Sequence, residues 1–202
     1  MTTITTPTRL LLATRNAKKL AELDRILAGA GIAVLGLADV PPYPEAPETE
    51  LTFAGNALLK AREGVAHTGL ATIADDSGLA VDALNGMPGV FSARWSGRHG
   101  DDRTNLELVL AQVADVPDGQ RGAAFVCAAA LVLPDGREFV TDGQLRGVLL
   151  RAPRGSGGFG YDPIFQADGQ QLSNAELTPE QKDAISHRGI AFRALAATIR
   201  SL

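Results

Sequence analysis

The segment Ala123–Leu133 (AAFVCAAALVL) constrains the fold more than any other part of the chain. It carries no charge and falls far short of the roughly 20 apolar residues that span a bilayer. A strand with one wet face alternates apolar and polar side chains; an unbroken apolar run is expected of a strand covered on both faces. Pro134-Asp135-Gly136 follows as a turn, and Arg137–Leu150 reads as the returning arm of a hairpin. Cover on both faces demands layers on both sides of a sheet, and the rest of the chain supplies helices for them.

At the N-terminal end, Arg9–Thr14 (RLLLAT) reads as a buried strand. Asn16 is placed to cap a helix in which Leu20, Leu23, Leu27 and Ala30 recur at helical spacing as far as Gly31. Ile32–Leu37 reads as a second strand, which makes a βαβ opening with a parallel pair. Asp39–Glu50, rich in proline and acid, must be a loop. Thr52 to about Ala66 is helical, with Phe53, Ala57, Ala61 and Val65 on one face. Ala71–Ala74 is a short strand that runs into Asp75-Asp76-Ser77-Gly78, and Leu84–Ser96, with Asn-Gly and Pro-Gly, is irregular. A helix resumes over Asp102–Val113. Thr178-Pro179-Glu180-Gln181 has the residues of a capped helix start, and Ser186 is placed to cap a last helix with Phe192, Leu195, Ala196 and Ile199 inward. The expected class is α/β: residues 1–202 as a single domain with a mixed central sheet, made of two lobes flanking an active-site cleft.

The formal charge of −4 excludes the basic stripe of a duplex-coating protein, so no nucleic-acid partner is expected. A few cations in one place still suit a small anion. No apolar run is long enough for a membrane span, and Met1–Pro7, without a basic start or an apolar stretch, reads as a tail ahead of the first strand. A single cysteine, Cys127, precludes an internal disulfide framework and makes a cytoplasmic location the default. Its place in the apolar run marks it as a core thiol rather than a nucleophile.

Four stretches carry chemistry. Thr14-Arg15-Asn16-Ala17-Lys18-Lys19 lies between a strand and a helix, where free N–H groups and the helix dipole suit phosphate; the alternative is an Asn16 cap with solvated lysines. The GxxxxGK[ST] spacing of a Walker A loop is absent. Asp75-Asp76 pairs two carboxylates that need a cation or solvent, and Mg²⁺ is commonly held by one or two carboxylates plus substrate phosphate. Successive strand residues face opposite ways, so one of the pair enters the site directly; the alternative is an Asp-rich turn. Gly155–Pro163 contains a literal GxGxxG, but Asp162-Pro163 follows at once and opens no helix, which rules out the dinucleotide fingerprint. Phe159 and Tyr161 there either stack on a base or belong to the core. Finally, Lys182 precedes Ser186-His187-Arg188-Gly189, which sets His187 and Arg188 at the positive end of a helix, where cations are disfavoured. Arg188 can offer paired N–H groups to a purine carbonyl or remain on the surface. His67 and His99 have no partner pattern.

Taken together, Thr14–Lys19, Glu48-Thr49 with Thr52-Phe53, Asn56 and Lys60, Ala74–Leu79, Pro88-Gly89 with Ser92-Ala93-Arg94, Gly157–Asp162 and Ser186–Gly189 closely resemble the inosine/xanthosine triphosphate pyrophosphatase family. The motifs occur in family order from Leu10 to about Leu195. The resemblance implies a two-lobed mixed α/β fold, Mg²⁺ dependence, a homodimer, and hydrolysis of deaminated purine nucleoside triphosphates (ITP, dITP, XTP) to monophosphate and diphosphate. Carried over by position, it implies that Thr14, Arg15, Asn16, Ala17, Lys18 and Lys19 bind the triphosphate. Glu48 and Asp76 would hold Mg²⁺, with Asp76 also activating water and Asp75 acting from behind it. Ser77 would touch substrate; Phe159, Gly160, Tyr161 and Asp162 would sandwich and orient the base. Lys182, His187 and Arg188 would complete base and phosphate recognition.

Three positions depart from the family pattern: Gly55 stands where an acidic residue is common, Arg15 where Gly is frequent, and Trp95 where Tyr is frequent. Two other functions fit the same residues, a pyrophosphatase for other altered nucleotides and a nucleotide sensor without turnover.

Overall fold

The computed structural model describes residues 9–29, 31–45 and 47–202. The tail assigned to Met1–Pro7 and the inward place assigned to Ala30 lie outside these residues. The strands form one mixed six-stranded sheet in the order β2-β1-β3-β4-β5-β6. They are β1 (Leu10–Leu12), β2 (Val34–Leu35), β3 (Ala71–Val81), β4 (Gly122–Val132), β5 (Glu138–Leu149) and β6 (Phe165–Ala167). The helices are α1 (Ala17–Gly29), α2 (Phe53–Thr68), α3 (Asp102–Gln112), α4 (Pro179–Ile185) and α5 (His187–Arg200). No helix among the described residues is long and apolar enough to cross a membrane.

The expected βαβ opening is present: β1 pairs in parallel with β2 and, on its other side, with β3. The hairpin is present too, with β4 and β5 adjacent and joined through Leu133–Arg137. Two compact units divide the chain. Unit 1 comprises Met1–Asp76, Cys127–Gly143 and Arg188–Leu202; unit 2 comprises Ser77–Val126 and Gln144–His187.

In unit 1, β4 shows why its sequence is continuously apolar. Cys127, Ala129 and Leu131 face a cluster with Leu23, Ile26 and Leu27 of α1 and Phe192, Leu195 and Ile199 of α5. Ala128, Ala130 and Val132 face the opposite cluster, with Ala57 and Ala61 of α2. Both sides of the strand are therefore dry, and each fully buried Leu or Phe contributes about 1.5–3 kcal/mol. Helix α2 lies close against β3, because a Cβ on Gly64 would collide with the Thr72 side chain. In α1 the inward positions are Glu22, Leu23, Ile26 and Leu27, whereas Leu20 is 37% exposed. The expected Leu20-Leu23-Leu27 stripe is thus rotated, and it carries a buried acid.

The core of unit 2 gathers Leu79 and Val81 of β3, Leu106 and Val109 of α3, Phe125, Leu149, Tyr161, Ile164 and Phe165. Buried Arg121 fastens this core from within, donating to the carbonyls of Val113, Leu149 and Leu150. Thr178 caps α4 with the full capping box, as its sequence predicts. Ser186 closes α4 at its C-terminal end and directly precedes α5.

Candidate active site

The principal correction to the sequence reading concerns β3. Asp75 and Asp76 do not end a short strand; they sit inside one that continues to Val81. Adjacent carboxylates are tolerated there because the pleat sends them to opposite faces, and each face supplies cations or donors. Ala71 and Ile73 point to the α1/α5 side, and Asp75 follows them in register. Its Oδ2 accepts from Lys19 Nζ at 3.0 Å, with Arg188 Nε at 3.6 Å. Ala74 points to the α2 side, and Asp76 follows it. Its Oδ2 accepts from Asn56 Nδ2 at 3.0 Å and its Oδ1 lies 3.5 Å from Lys60 Nζ.

The two carboxyls differ in basicity for this reason. Burial tends to raise Asp75, but Lys19, Arg188 and Lys60 outweigh it and hold the carboxyl well below the usual carboxylate range. Burial dominates at Asp76 and pushes it up, since the opposing cation Lys60 is shared with Glu48, whose own charge pushes the same way. Lys60 itself is raised: burial works against its charge, and Asp76, Asp75 and Glu48 together prevail.

The strand-to-helix turn Thr14–Lys19 has the expected cap, with Asn16 Oδ1 accepting from the N–H groups of Lys18 and Lys19 at 3.0 and 3.2 Å. Thr14 Oγ1 accepts weakly from Asn16 N, and Ala17 opens α1, exposed like Lys18. Arg15 reaches to the loop ahead of Glu48, donating to the Tyr43 carbonyl at 2.5 Å and lying 3.6 Å from Glu45.

Arg188 is compensated at its helix start by carboxylates. It is 5% exposed and donates to Glu22 Oε2 at 3.2 Å as well as meeting Asp75. The cation at the positive helix end thus joins a chain of alternating charges, Glu22–Arg188–Asp75–Lys19. This engagement does not match a guanidinium fork left open for a base edge. Cys127 is fully buried, and burial first, then Asp75, pushes its thiol far up, as suits a core residue.

In unit 2 the glycine-rich loop organises a second set. Gly158 and Gly160 have φ of +67° and +61°, a left-handed backbone that glycine adopts without strain. Between them stands Phe159, half-buried, with the Lys182 ammonium 4.7 Å from its ring centroid. Asp162 Oδ2 accepts from Phe159 N at 2.8 Å and from Lys182 Nζ at 2.6 Å, a buried pair. Asp102 Oδ2 accepts from Gly160 N at 3.1 Å. Tyr161 is corrected: its ring belongs to the unit 2 core and its hydroxyl donates to the Ser92 carbonyl at 2.8 Å. Of the two aromatic candidates, that leaves Phe159 as the ring able to meet a base. His187 is 2% exposed and stacks on Phe125 at 4.9 Å, so it too is an interior side chain of this unit. Ser77 follows Asp76 along β3 and is half-buried.

The structure therefore brings Lys19, Asp75 and Arg188 together on one side of β3 and Glu48 and Asp76 on the other. It brings Phe159, Asp162 and Lys182 together in unit 2. Sequence reasoning gave no role to Asn56, Lys60, Glu22 or Asp102. The four-residue spacing of Asn56 and Lys60, which sets both on one face of α2, was the available signal. Nothing in the sequence marked Asp102 beyond its place in the first turn of α3.

Among the described residues no group of three or more His, Cys, Asp or Glu side chains gathers as a metal cage. Two carboxylates nevertheless converge on one ammonium, Glu48 at 2.9 Å and Asp76 at 3.5 Å from Lys60. Such an oxygen pair fits Mg²⁺, which keeps waters and substrate phosphate as its remaining ligands.

Paired carboxylates on a strand with basic side chains against them suit a phosphorylated ligand, and a half-buried aromatic between glycines suits a flat ring. The chain belongs to the Ham1 family, whose model matches residues 10–198. It is 62% identical over 200 residues to the dITP/XTP pyrophosphatase of Nocardia farcinica, covering 98% of this chain and 97% of that one. The crystal structure of a nucleoside-triphosphatase, dITP/XTP pyrophosphatase, from Mycobacterium abscessus superposes with a TM-score of 0.77 at 62% identity, covering 95% of this chain and 98% of that one. The Ham1 protein of Staphylococcus aureus superposes at 0.86 and 35% identity, covering 96% and 99%.

Proposed function

We propose that this chain hydrolyses deaminated purine nucleoside triphosphates, the ITP, dITP and XTP class, to the monophosphate and diphosphate. The observation that carries the reading is the division of Asp75 and Asp76 between two faces of β3, one held by Lys19 and Arg188, the other by Asn56, Lys60 and Glu48. Binding alone does not call for so many charged groups; a phosphoryl transfer does, because its chemistry is largely positioning and charge neutralisation. The names of the relatives point the same way.

In this reading Asp76 holds the attacking water and takes its proton as the water adds to the α-phosphorus and diphosphate leaves. Asn56 fixes the Asp76 carboxylate so that one oxygen remains directed at the water. Lys60 keeps Glu48 and Asp76 from repelling each other. Lys19, positioned by Asp75, neutralises the triphosphate together with the N–H groups at the start of α1. Glu48 and Asp76 would hold Mg²⁺, which when bound supplies charge neutralisation on the phosphoryl oxygens and orients substrate. The wider set Thr14–Lys18 and Ser77 contributes contacts to the triphosphate.

Discrimination against adenine follows from donors, whereas guanine shares the 6-oxo group and its rejection rests on its 2-amino group. A deaminated purine presents a 6-oxo acceptor, whereas adenine presents an amino donor. Lys182, held by Asp162 beside the Phe159 ring, offers N–H groups to the former and would face another donor in the latter, a mismatch that costs affinity. Arg188 acts on Asp75 here, and His187 supports the Phe125 side. In this reading the active form is a homodimer in the cytoplasm; a light-scattering mass of two chains would support the dimer, and a mass of one chain would contradict it.

The test is kcat/KM for ITP, XTP, dITP, GTP, ATP and dUTP with and without Mg²⁺. Strong Mg²⁺-dependent diphosphate release confined to the deaminated purines supports the reading. A preference for dUTP would move the protein to other altered nucleotides, and binding without release would make it a sensor.

A further inference from the structure

Phe159 lies between two left-handed glycines, in a turn where its carbonyl accepts from Asp162 N at 3.2 Å. Two consecutive amides of the loop are held by carboxylates: Phe159 N by Asp162 of the same loop, and Gly160 N by Asp102 from α3. Asp162 already belongs to the candidate base-binding set, paired with Lys182. Asp102 does not. It is the first residue of α3, whose cap is its neighbour Asp101, the acceptor from Thr104 N at 3.1 Å. The Asp102 carboxylate reaches Gly160 N, and burial first, then the Asp102 charge, raises the pKa of the Tyr161 hydroxyl.

We infer that Asp102 is a positioning residue for base recognition, fixing the Phe159 ring by holding the Gly160 amide from the start of α3. The inference rests on the base-stacking role of Phe159 proposed above. A hydrogen bond from an amide to a carboxylate is among the stronger kinds. In a loop with two positive-φ glycines it replaces the stiffness that side chains elsewhere would supply. Helix α3 thereby adds an anchor from a distant element to the loop that carries the ring. Loss of the anchor makes the ring sample other orientations, and the base pays that ordering cost on binding.

The experiment compares wild type, Asp102→Ala, Asp102→Ser, Asp102→Asn and Phe159→Ala. It reads KM and kcat for ITP, calorimetric affinity for inosine, and inhibition by inorganic tripolyphosphate, which has no base. Asp102→Ala and Asp102→Ser are expected to raise KM for ITP and weaken inosine by about tenfold. Inhibition by tripolyphosphate stays unchanged, and kcat moves far less than KM. Asp102→Asn, whose amide oxygen still accepts from Gly160 N, recovers most of the affinity. If Phe159→Ala weakens inosine while all three Asp102 variants bind it like wild type, the inference is wrong and the base platform stands. Equal loss of inosine and tripolyphosphate in the Asp102 variants would reduce Asp102 to a general structural role and overturn the inference. If Phe159→Ala leaves inosine binding intact, the base platform itself fails, and the inference with it. Should Asp102→Ala not fold, Asp102→Ser, which keeps a polar group in the first turn, carries the same outcomes.

Discussion

Asp75 and Asp76 are consecutive on β3, yet their carboxylates answer to different helices: Lys19 of α1 stands 3.0 Å from the first, Lys60 of α2 3.5 Å from the second. A strand turns alternate residues to opposite faces, so two like charges one residue apart can be built into two separate networks. Asp75 becomes a fixed anion that positions cations. Asp76, the more basic of the two, is left for chemistry.

The first prediction follows from that division. Asp76→Asn retains an oxygen acceptor and an almost identical shape but cannot take a proton. It lowers kcat for ITP by about 10²–10⁴-fold, the usual yield of a positioned base. Nucleotide affinity stays within about tenfold of wild type. Stopped-flow or steady-state diphosphate release together with calorimetric binding checks both halves. Retention of most of the activity would remove Asp76 from the mechanism.

Cys127 offers a control with the opposite expectation. Its thiol is buried among the apolar side chains of unit 1 and pushed far above its ordinary pKa, so it forms little thiolate near neutrality. Native protein should react with a thiol reagent such as DTNB only at the rate of unfolding. Cys127→Ala should keep kcat within about twofold while losing on the order of 1 kcal/mol of stability to the smaller side chain. Rapid labelling of the folded protein would contradict the burial.

Arg121 is predicted to matter for stability. Its guanidinium satisfies three backbone carbonyls, those of Val113, Leu149 and Leu150, at 2.6–3.0 Å. Arg121→Leu fills much of the volume but leaves those acceptors without their donor, which costs about 2–4 kcal/mol. The midpoint of urea unfolding should fall with little change in slope.

Among the surface contributions to the pH dependence of stability, the Asp82–Arg146 pair has a definite sign. The Arg146 hydrogen bonds, and secondarily its charge, lower the Asp82 carboxyl below its ordinary value. A carboxyl with a depressed folded-state pKa stabilises the fold above its unfolded pKa of about 3.9, and the contribution is lost as pH falls through the folded value. The Tm difference between wild type and Asp82→Asn should therefore be present near neutrality, shrink below about pH 4 and vanish at lower pH. Both side chains are about half-exposed, so the difference is small and salt erodes it. A difference that grows on acidification would reverse the sign.

The fold was legible where periodicity was strong. The apolar run of β4, the Asn16 and Thr178 caps and the β1–α1–β2 opening all stand where the residues place them. The length of β3 was not legible, because Asp75-Asp76-Ser77-Gly78 carries every mark of a turn, and only cations from α1, α2 and α5 make it tolerable inside a strand. Glu22 was invisible for the same reason: an acid on an apolar stripe makes sense only once Arg188, far away in sequence, is opposite it. Tyr161 and Phe159 look alike in a glycine-rich segment, and burial alone separates them. Local chemistry can be read along the chain; charge compensation between distant segments cannot.

The most direct test of the central claim is hydrolysis of ITP with Mg²⁺ in ¹⁸O-enriched water, with products resolved by ³¹P NMR. Attack at the α-phosphorus predicts IMP and diphosphate as the only phosphorus products, with one ¹⁸O per turnover in the IMP phosphate and none in diphosphate. Label in diphosphate, or release of orthophosphate, would place the attack on another phosphorus and contradict the account.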